Sequence, residues 1–224
     1  MTKVKICGIK TVESALAAIE TGTDFIGLVF AESPRQVTLT QARKIEETVL
    51  EFGRPTEAVG VFVNMPSAFV NSAAEFCSLD RVQLSGDETP EYCKEIKKPI
   101  IHTIRISRLE EPERVCRDMR EWVNVLEGKD IIFLLDSYSK EKYGGTGNLM
   151  NMDTAAIIAE KFPVILAGGL NPKNVGEAIK QIKPWGVDVS SGVETEGEKD
   201  KDKIKIFLGA VREADNKEEV KNLY

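Results

Sequence analysis

Short apolar runs alternate with helix-like segments along the whole chain, and this alternation constrains the fold more than any other feature. Eight runs rich in apolar and β-branched residues are predicted strands, at 4–7, 24–30, 58–63, 81–84, 99–105, 130–136, 163–167 and 186–190. The run at 131–135 is apolar at every position, which is typical of a parallel sheet covered on both faces. The pattern therefore predicts parallel strands enclosed by helices.

Apolar residues recur with helical spacing after each predicted strand. The first such stripe lies within residues 12–19, and the other predicted helices cover 40–52, 66–77, 89–97, 111–127, 152–161, 172–182 and 200–213. Thr11 and Thr40 offer hydroxyl N-caps, and Pro172 suits the first position of a helix. Each strand is thus expected to be followed by its own helix.

Eight strand–helix units without a polar linker predict one closed (β/α)8 barrel, a TIM barrel of the α/β class. The alternative is an open doubly wound sheet, which usually has fewer strands and often a Gly-x-Gly-x-x-Gly turn after the first one. Here the first turn reads Cys7-Gly8-Ile9-Lys10, which favours the barrel. We expect the barrel to span residues 1–214 and a charged, frayed tail to span 215–224.

Composition excludes several classes of function. The formal net charge is −6 and no basic run is interleaved with aromatic residues, so a nucleic-acid partner is disfavoured. No apolar run approaches the roughly 20 residues that cross a membrane, and the N-terminus lacks the apolar region of a signal peptide. We therefore expect a cytoplasmic protein without a membrane partner. A phosphate ligand remains possible, because backbone N–H groups can bind one without a basic patch.

The cysteines do not suggest a metal site. Cys7, Cys77, Cys93 and Cys116 form no Cys-x-x-Cys pair, and His102 is the single histidine. Zinc sites usually need clustered Cys and His ligands, so we expect no metal and free thiols. Three of the four cysteines lie on helical segments as small hydrophobic residues, whereas Cys7 ends a strand.

In a barrel, chemistry gathers where the strands end. The polar or small residues found there are Cys7, Arg35, Asn64, Ser85, Arg105, Asp136, Gly168–Gly169 and Ser190–Gly192. This set includes a potential base and a potential acid, but no metal cage and no Ser–His–Asp grouping. Residue type alone leaves two alternatives open: Cys7 is a packed hydrophobic residue or a thiolate base, and Asp136 is a cap or a general acid.

The loops after strands 7 and 8 are rich in small residues. Gly168 and Gly169 follow strand 7, and Ser190, Ser191 and Gly192 follow strand 8. Glycines let backbone N–H groups approach a phosphate, and serine hydroxyls add donors. Tight strand–helix turns would also use glycine. Two such loops after this pair of strands favour a phosphate site, since barrels frequently place one there.

Motifs along nearly the whole chain resemble those of the phosphoribosylanthranilate isomerase family. They are VKICGI at 4–9, GLVF at 27–30 leading to Ser33-Pro34-Arg35, VGVFVN at 59–64, VQL-x-G at 82–86, LLD at 134–136, GGTG at 144–147, AGGLNP-x-NV at 167–175 and DVSSGVE at 188–194. They occur in order from the first strand to the last, which makes chance agreement negligible.

The resemblance implies an Amadori rearrangement in tryptophan biosynthesis, carried out without a cofactor. The family converts N-(5-phosphoribosyl)anthranilate into 1-(2-carboxyphenylamino)-1-deoxyribulose 5-phosphate. By resemblance, Asp136 is the general acid that opens the furanose ring, and Cys7 is the base that removes the proton from C2′. Arg35 is expected to hold the anthranilate end, with Gln83 and Ser85 also contacting substrate.

Two segments depart from the family pattern. Ser85 stands where the family usually has histidine, and residues 148–152 replace the usual Lys-Thr-Phe-Asp-Trp type of segment. Both departures concern substrate contacts rather than the acid or the base. The sequence does not distinguish a monomer from a homodimer.

Three alternative functions fit the sequence less well. A ribulose-phosphate epimerase-like enzyme would need metal-binding histidines, and an indoleglycerol-phosphate synthase-like enzyme would need a catalytic strand lysine and a longer N-terminus. A non-catalytic phosphometabolite-binding barrel would be expected to lack Cys7 or Asp136, and both are present.

Strand phase gives one further prediction about charge. Lys5 shares its side of strand 1 with Cys7, and Asp188 shares its side of strand 8 with Ser190. Because the first and last strands of a closed barrel are neighbours, Lys5 and Asp188 should point inward and pair beneath the active site. The alternative is that one of them faces the helices and reaches solvent.

Overall fold

Eight parallel strands form the centre of the molecule. The structure, a computed structural model, describes residues 1–53, 55–107, 110–137 and 151–221. The strands are β1 Lys3–Cys7, β2 Phe25–Val29, β3 Glu57–Phe62, β4 Arg81–Leu84, β5 Ile100–Ile106, β6 Ile131–Ser137, β7 Val164–Leu166 and β8 Gly186–Val189. They pair in chain order, and β8 pairs with β1, so the barrel is closed. The (β/α)8 prediction is confirmed.

A helix follows each of these strands. The helices are α1 Val12–Glu20, α2 Leu39–Phe52, α3 Ser67–Phe76, α4 Pro90–Glu95, α5 Pro112–Val125, α6 Met152–Ala159, α7 Val175–Ile182 and α8 Lys201–Lys221. Thr11 caps α1 as predicted. Two predicted helix starts are wrong: Thr38 rather than Thr40 caps α2, and α7 begins at Val175, three residues after Pro172.

Apolar side chains are packed on both faces of the barrel strands. The larger core lies between the strands and the helices and includes Val4 and Ile6 of β1. The smaller one lies on the opposite face of the strands and includes Phe25, Ile101 and Leu134. Since successive side chains of a strand point to opposite faces, Lys5 and Cys7 point away from the helices and into the barrel. This smaller core fills the inside of the barrel beneath the mouth, by which we mean the end of the barrel where the carboxyl ends of the eight strands lie.

A small hairpin follows the last barrel strand and was not predicted from the sequence. A 3-10 turn, Ser191–Val193, leads into β9, Glu194–Thr195, which pairs with β10, Glu198–Lys199. Glu196 and Gly197 both have positive φ, as a tight two-residue connection requires. The hairpin brings charged residues back toward the ends of β8 and β1.

The last helix extends further than expected. The sequence predicts a tail from residue 215, but α8 continues without a break to Lys221. Asp215 is buried because its carboxylate accepts hydrogen bonds from the Thr2 backbone N–H, at 3.0 Å, and the Thr2 hydroxyl, at 2.6 Å. This contact joins the start of the chain to the last helix. In the described residues, no helix has the length and apolar character that a membrane span needs.

Candidate active site

Cys7 lies at the carboxyl end of β1 and is partly exposed, whereas Cys77, Cys93 and Cys116 are fully buried. Across the sheet its partner is Gly27. A Cβ atom added to Gly27 would lie 2.8 Å from Cys7 Sγ and 3.1 Å from Lys5 Nζ. Both polar groups therefore occupy the space that a side chain on β2 would otherwise fill.

Lys5 and Asp188 form the predicted buried ion pair. Lys5 Nζ donates to Asp188 Oδ1 at 3.0 Å, and the two side chains are 0% and 10% exposed. Burial opposes the charge of Lys5, but the nearby Asp188 and Cys7 outweigh that effect and raise the pKa of the ammonium. Lys5 is therefore a fixed positive charge one layer beneath the mouth.

The groups around Cys7 shift the pKa of its thiol in opposite directions. Burial raises its pKa, Lys5 lowers it, Asp188 raises it and Lys199 lowers it, with a net result above the ordinary value. In the free protein the thiol is therefore mainly protonated near neutral pH. Its ionisation depends on the cations that surround it.

Arg35 forms a bidentate ion pair that sequence reasoning missed. Its Nε and Nη2 atoms donate to Glu194 Oε1 and Oε2, each at 2.7 Å. A Cβ on Gly8 would lie 2.4 Å from Arg35 Cδ, so the side chain crosses directly over the Cys7–Gly8 turn. The guanidinium thus lies beside the Cys7 end of β1, with the Glu194 carboxylate already bound.

Lys199 of the hairpin completes this charged group and was also missed. Its side chain is 2% exposed, and Nζ donates to Glu194 Oε1 at 2.5 Å and to the Ser190 carbonyl at 3.0 Å. Although burial opposes it, bonding to Arg35 and Lys199 lowers the pKa of Glu194 to about 2. A lysine in a charged terminal segment carries no sequence signal for burial, so only the hairpin reveals its place.

Ser85 and Gln83 line the mouth between β4 and β5. Gln83 Nε2 donates to Ser85 Oγ at 3.0 Å, and Ser85 Oγ lies 2.9 Å from Thr103 Oγ1. Arg105 Nη2 donates to the Ser85 carbonyl oxygen. Gln83 is 5% exposed, and its Oε1 atom has no hydrogen-bond partner among the described residues. Gln83 and Ser85, the predicted substrate-contact pair, are therefore part of one hydrogen-bonded polar group in which the buried Oε1 atom of Gln83 stays unpaired among the described residues.

Asp136 lies near the carboxyl end of β6 and is half-buried. It is in register with Arg105 of β5. Because all eight strands are parallel, Asp136 and Cys7 end at the same mouth of the barrel, with β7 and β8 between their strands. The motif at 144–147 and residues 148–150 lie outside the described residues.

The loops after β7 and β8 contact each other. Gly168 and Gly169 both have positive φ, and a Cβ on Gly192 would lie 2.0 Å from the Leu170 carbonyl oxygen. The Ser190 hydroxyl turns toward β1 and donates to the Cys7 carbonyl oxygen at 3.1 Å. The two small-residue loops are therefore adjacent. The single hydroxyl hydrogen of Ser190, which the sequence predicted to face a phosphate, is donated to the Cys7 carbonyl oxygen.

The described residues contain no cluster of three or more His, Cys, Asp or Glu side chains that could bind a metal. The mouth instead contains the Cys7 thiol among cations, the Asp136 carboxyl group at the end of β6, and the two glycine-rich loops after β7 and β8. This set can donate one proton, accept another and bind anions at two places.

Comparisons with known proteins give one consistent result. The family model of N-(5'phosphoribosyl)anthranilate isomerase matches residues 4–210. An N-(5'-phosphoribosyl)anthranilate isomerase from Geotalea uraniireducens is 46% identical over 211 residues, which cover 93% of this chain and 97% of the relative.

Solved structures of the same family have the same fold. The phosphoribosyl anthranilate isomerase of Thermotoga maritima is 37% identical, covers 95% of this chain and 99% of its own, and superposes with a TM-score of 0.81. A second isomerase structure, solved in complex with reduced 1-(o-carboxyphenylamino)-1-deoxyribulose 5-phosphate, is 34% identical with a TM-score of 0.77. It covers 95% of this chain and 99% of its own.

Proposed function

The chain belongs to the N-(5'-phosphoribosyl)anthranilate isomerase family, and from that premise we propose how its residues divide the reaction. The chain is an isomerase of tryptophan biosynthesis, and its rearrangement turns an aldose derivative into a ketose derivative. The observation that carries the proposed roles is the position of Cys7, which ends β1 at the same mouth as Asp136 and directly above the Lys5–Asp188 pair.

Asp136 acts as the general acid. It protonates the furanose ring oxygen of the substrate, the C1′–oxygen bond breaks, and the anthranilate nitrogen supplies electrons to form an iminium ion. The half-buried position of Asp136 at the end of β6 suits a group that must meet substrate while being partly withdrawn from water.

Cys7 acts as the general base. Its thiolate removes the proton from C2′, the electrons neutralise the iminium, and the resulting enolamine tautomerises to the ketone. No net proton is consumed, because one group donates and the other accepts. The two groups must be in opposite protonation states at once, which requires different environments. Burial keeps the Cys7 thiol mainly protonated in the free enzyme, and Lys5 and Lys199 are the cations that favour its thiolate.

Arg35 binds the anthranilate carboxylate. Its guanidinium crosses the Cys7–Gly8 turn, so a carboxylate bound there would bring the attached sugar carbons toward the thiol. Arg35 already binds Glu194 through two N–H groups. Its remaining N–H groups are available to substrate, since guanidinium has five donors. Gln83 and Ser85 supply further contacts from the opposite wall.

The loops after β7 and β8 hold the phosphate. Backbone N–H groups of Gly168, Gly169, Ser191 and Gly192 are the proposed donors, and Ser190 contributes by its place at the end of β8, since its one hydroxyl hydrogen is donated to the Cys7 carbonyl oxygen. The close approach of Gly192 to Leu170 supports one shared anion site rather than two separate turns.

We also propose where the enzyme acts and with which partners. We expect the enzyme to act in the cytoplasm on a free phosphorylated small molecule, as a monomer or a homodimer, without nucleic acid or membrane as partner. One solved relative binds reduced 1-(o-carboxyphenylamino)-1-deoxyribulose 5-phosphate, which supports a small-molecule ligand of this kind.

A turnover assay with freshly generated phosphoribosylanthranilate tests the proposed roles. Cys7→Ala and Asp136→Asn should each reduce kcat to below about a tenth of the wild-type value while far-UV circular dichroism stays unchanged. Cys93→Ala is the matched control, because it removes a buried thiol remote from the mouth and should leave kcat near the wild-type value.

A variant that keeps more than about a tenth of kcat would remove that residue from its proton-transfer role. If both variants stay active, the assignment of acid and base to Asp136 and Cys7 fails as a whole.

A further inference from the structure

The charged side chains around Cys7 do not balance. Within the described residues, five ionisable groups surround the end of β1 from four elements and the loop after β2: Lys5, Arg35, Lys199, Asp188 and Glu194. Three are cations and two are carboxylates, which leaves one excess positive charge in a largely buried group. Buried charges are normally paired, so this arrangement favours an additional anion at its centre.

We propose that Lys199 is a positioning residue for Cys7: its buried ammonium supplies the excess charge that stabilises the thiolate, and holds Glu194 and Arg35 in place above it. The reaction role of that thiolate rests on the proposed function. The placement of Lys199 itself does not.

The contacts of Lys199 hold its amine in place: burial lowers the pKa of Lys199, and the hydrogen bond and charge of Glu194 oppose that effect. Its three N–H groups have three acceptors, since Nζ lies 2.5 Å from Glu194 Oε1, 3.0 Å from the Ser190 carbonyl oxygen and 3.4 Å from Ser190 Oγ. A lysine ammonium has three donors and no acceptor, so this set is complete. Ser190 in turn donates to the Cys7 carbonyl, which links the hairpin to the end of β1.

Glu194 connects this ammonium to Arg35. One of its carboxylate oxygens accepts from both Lys199 and Arg35 Nε, and the other accepts from Arg35 Nη2. Fixing the carboxylate from one side by Lys199 therefore restricts the guanidinium on the other side. The pKa of the Cys7 thiol follows the same arrangement, because Lys199 is one of the charges that lower it.

A purely structural role is the alternative. Lys199 could simply anchor the β9–β10 hairpin, in which case its loss would reduce stability without changing how Cys7 ionises. The pH dependence of thiol alkylation separates the two, because it measures the thiolate fraction of the free enzyme. Iodoacetamide should label Cys7 selectively in the native chain, since Cys77, Cys93 and Cys116 are fully buried.

Lys199→Met should slow the alkylation of Cys7 at pH 7.5 at least about fivefold and move its pH profile to higher pH. Lys199→Arg keeps the charge and should restore the profile. Lys203→Met is the matched control, because Lys203 contacts the Glu194 carbonyl rather than its carboxylate. It removes one positive charge close by in the chain and should leave the profile unchanged.

Glu194→Gln provides a test of sign if Lys199→Met folds poorly. It increases the excess positive charge and should speed alkylation, whereas the loss of a simple anchor would not. Two results would overturn the proposal: an unchanged pH profile of alkylation in Lys199→Met, or slower alkylation of Cys7 in Glu194→Gln. If alkylation shifts as expected while the pH profile of kcat/KM does not, the proposal for Lys199 stands and the base role of Cys7 fails.

Discussion

His102 should make the fold sensitive to acid. It lies on the outer side of β5, 7% exposed, with its ring stacked on Trp122 of α5 at 3.9 Å between centroids and edge-on to Phe133 of β6 at 6.4 Å. Its Nδ1 atom has no hydrogen-bond partner among the described residues. Burial, and then the charge of Arg105, lowers the pKa of His102 to about 4 from an ordinary 6.5.

The sign and size of the pH effect on the free energy of unfolding follow from proton linkage. Between pH 6.5 and pH 4 the unfolded chain holds a proton on this histidine and the native chain does not, so the free energy of unfolding falls as the pH falls. At ~1.4 kcal/mol per pH unit, the interval from 6.5 to 4 corresponds to about 3 kcal/mol. That is a large part of the roughly 5–15 kcal/mol that stabilises a typical native protein.

Urea unfolding of the wild type and of His102→Phe, at a series of pH values from 7 to 4, measures this contribution. Phenylalanine keeps the stacked ring but cannot bind a proton. The stability of the variant relative to the wild type should therefore increase by about 3 kcal/mol over this range. Burial raises the pKa of Glu46 to about 7, which acts in the opposite direction, but Glu46 is present in both proteins and cancels in the difference.

Phe133→Leu is the control, since it loosens the same packing and leaves the histidine in place. Its difference from the wild type should not depend on pH. If the curves for His102→Phe and the wild type run parallel from pH 7 to pH 4, the histidine is not held neutral by burial and the reasoning is wrong.

Three further changes test the mouth. Lys5→Met should raise the thiol pKa of Cys7 and move the alkaline-going rise of kcat/KM to higher pH, and an unchanged pH profile contradicts the role of Lys5. To avoid leaving a buried unpaired carboxylate, the change is also made in the Asp188→Asn background and compared with Asp188→Asn alone, because Asp188 itself raises this pKa. Gly27→Ala should lower kcat about tenfold or more, because its Cβ would lie 2.8 Å from Cys7 Sγ. Gly209→Ala is the control, since a Cβ there meets nothing within 4 Å and kcat should not change. Equal kcat values in the two variants would count against the close packing at β2. Gly192→Ala should raise KM about tenfold or more, because its Cβ would lie 2.0 Å from the Leu170 carbonyl and push the two loops apart; an unchanged KM would argue against a phosphate site there.

Local pattern was enough to predict the architecture. Apolar runs and helical stripes located all eight strands and their helices, since burial on both faces of a parallel strand leaves a continuous apolar signature. Two helix starts were misplaced. For α2, Thr38 and Thr40 are equally plausible caps by residue type, and only the hydrogen bond from the Gln41 backbone to Thr38 decides between them.

Strand phase also determined the Lys5–Asp188 pair, because side chains alternate strictly and the ends of a closed barrel must meet. The positions of Arg35, Glu194 and Lys199 relative to each other could not be found in this way. Arg35 lies on a loop, and Glu194 and Lys199 lie on the short β9–β10 hairpin. In such segments no regular periodicity predicts from the sequence which way a side chain points. Arg35 and Glu194 are 159 positions apart in the chain, and such a contact forms only after closure of the barrel brings the two ends of the chain together.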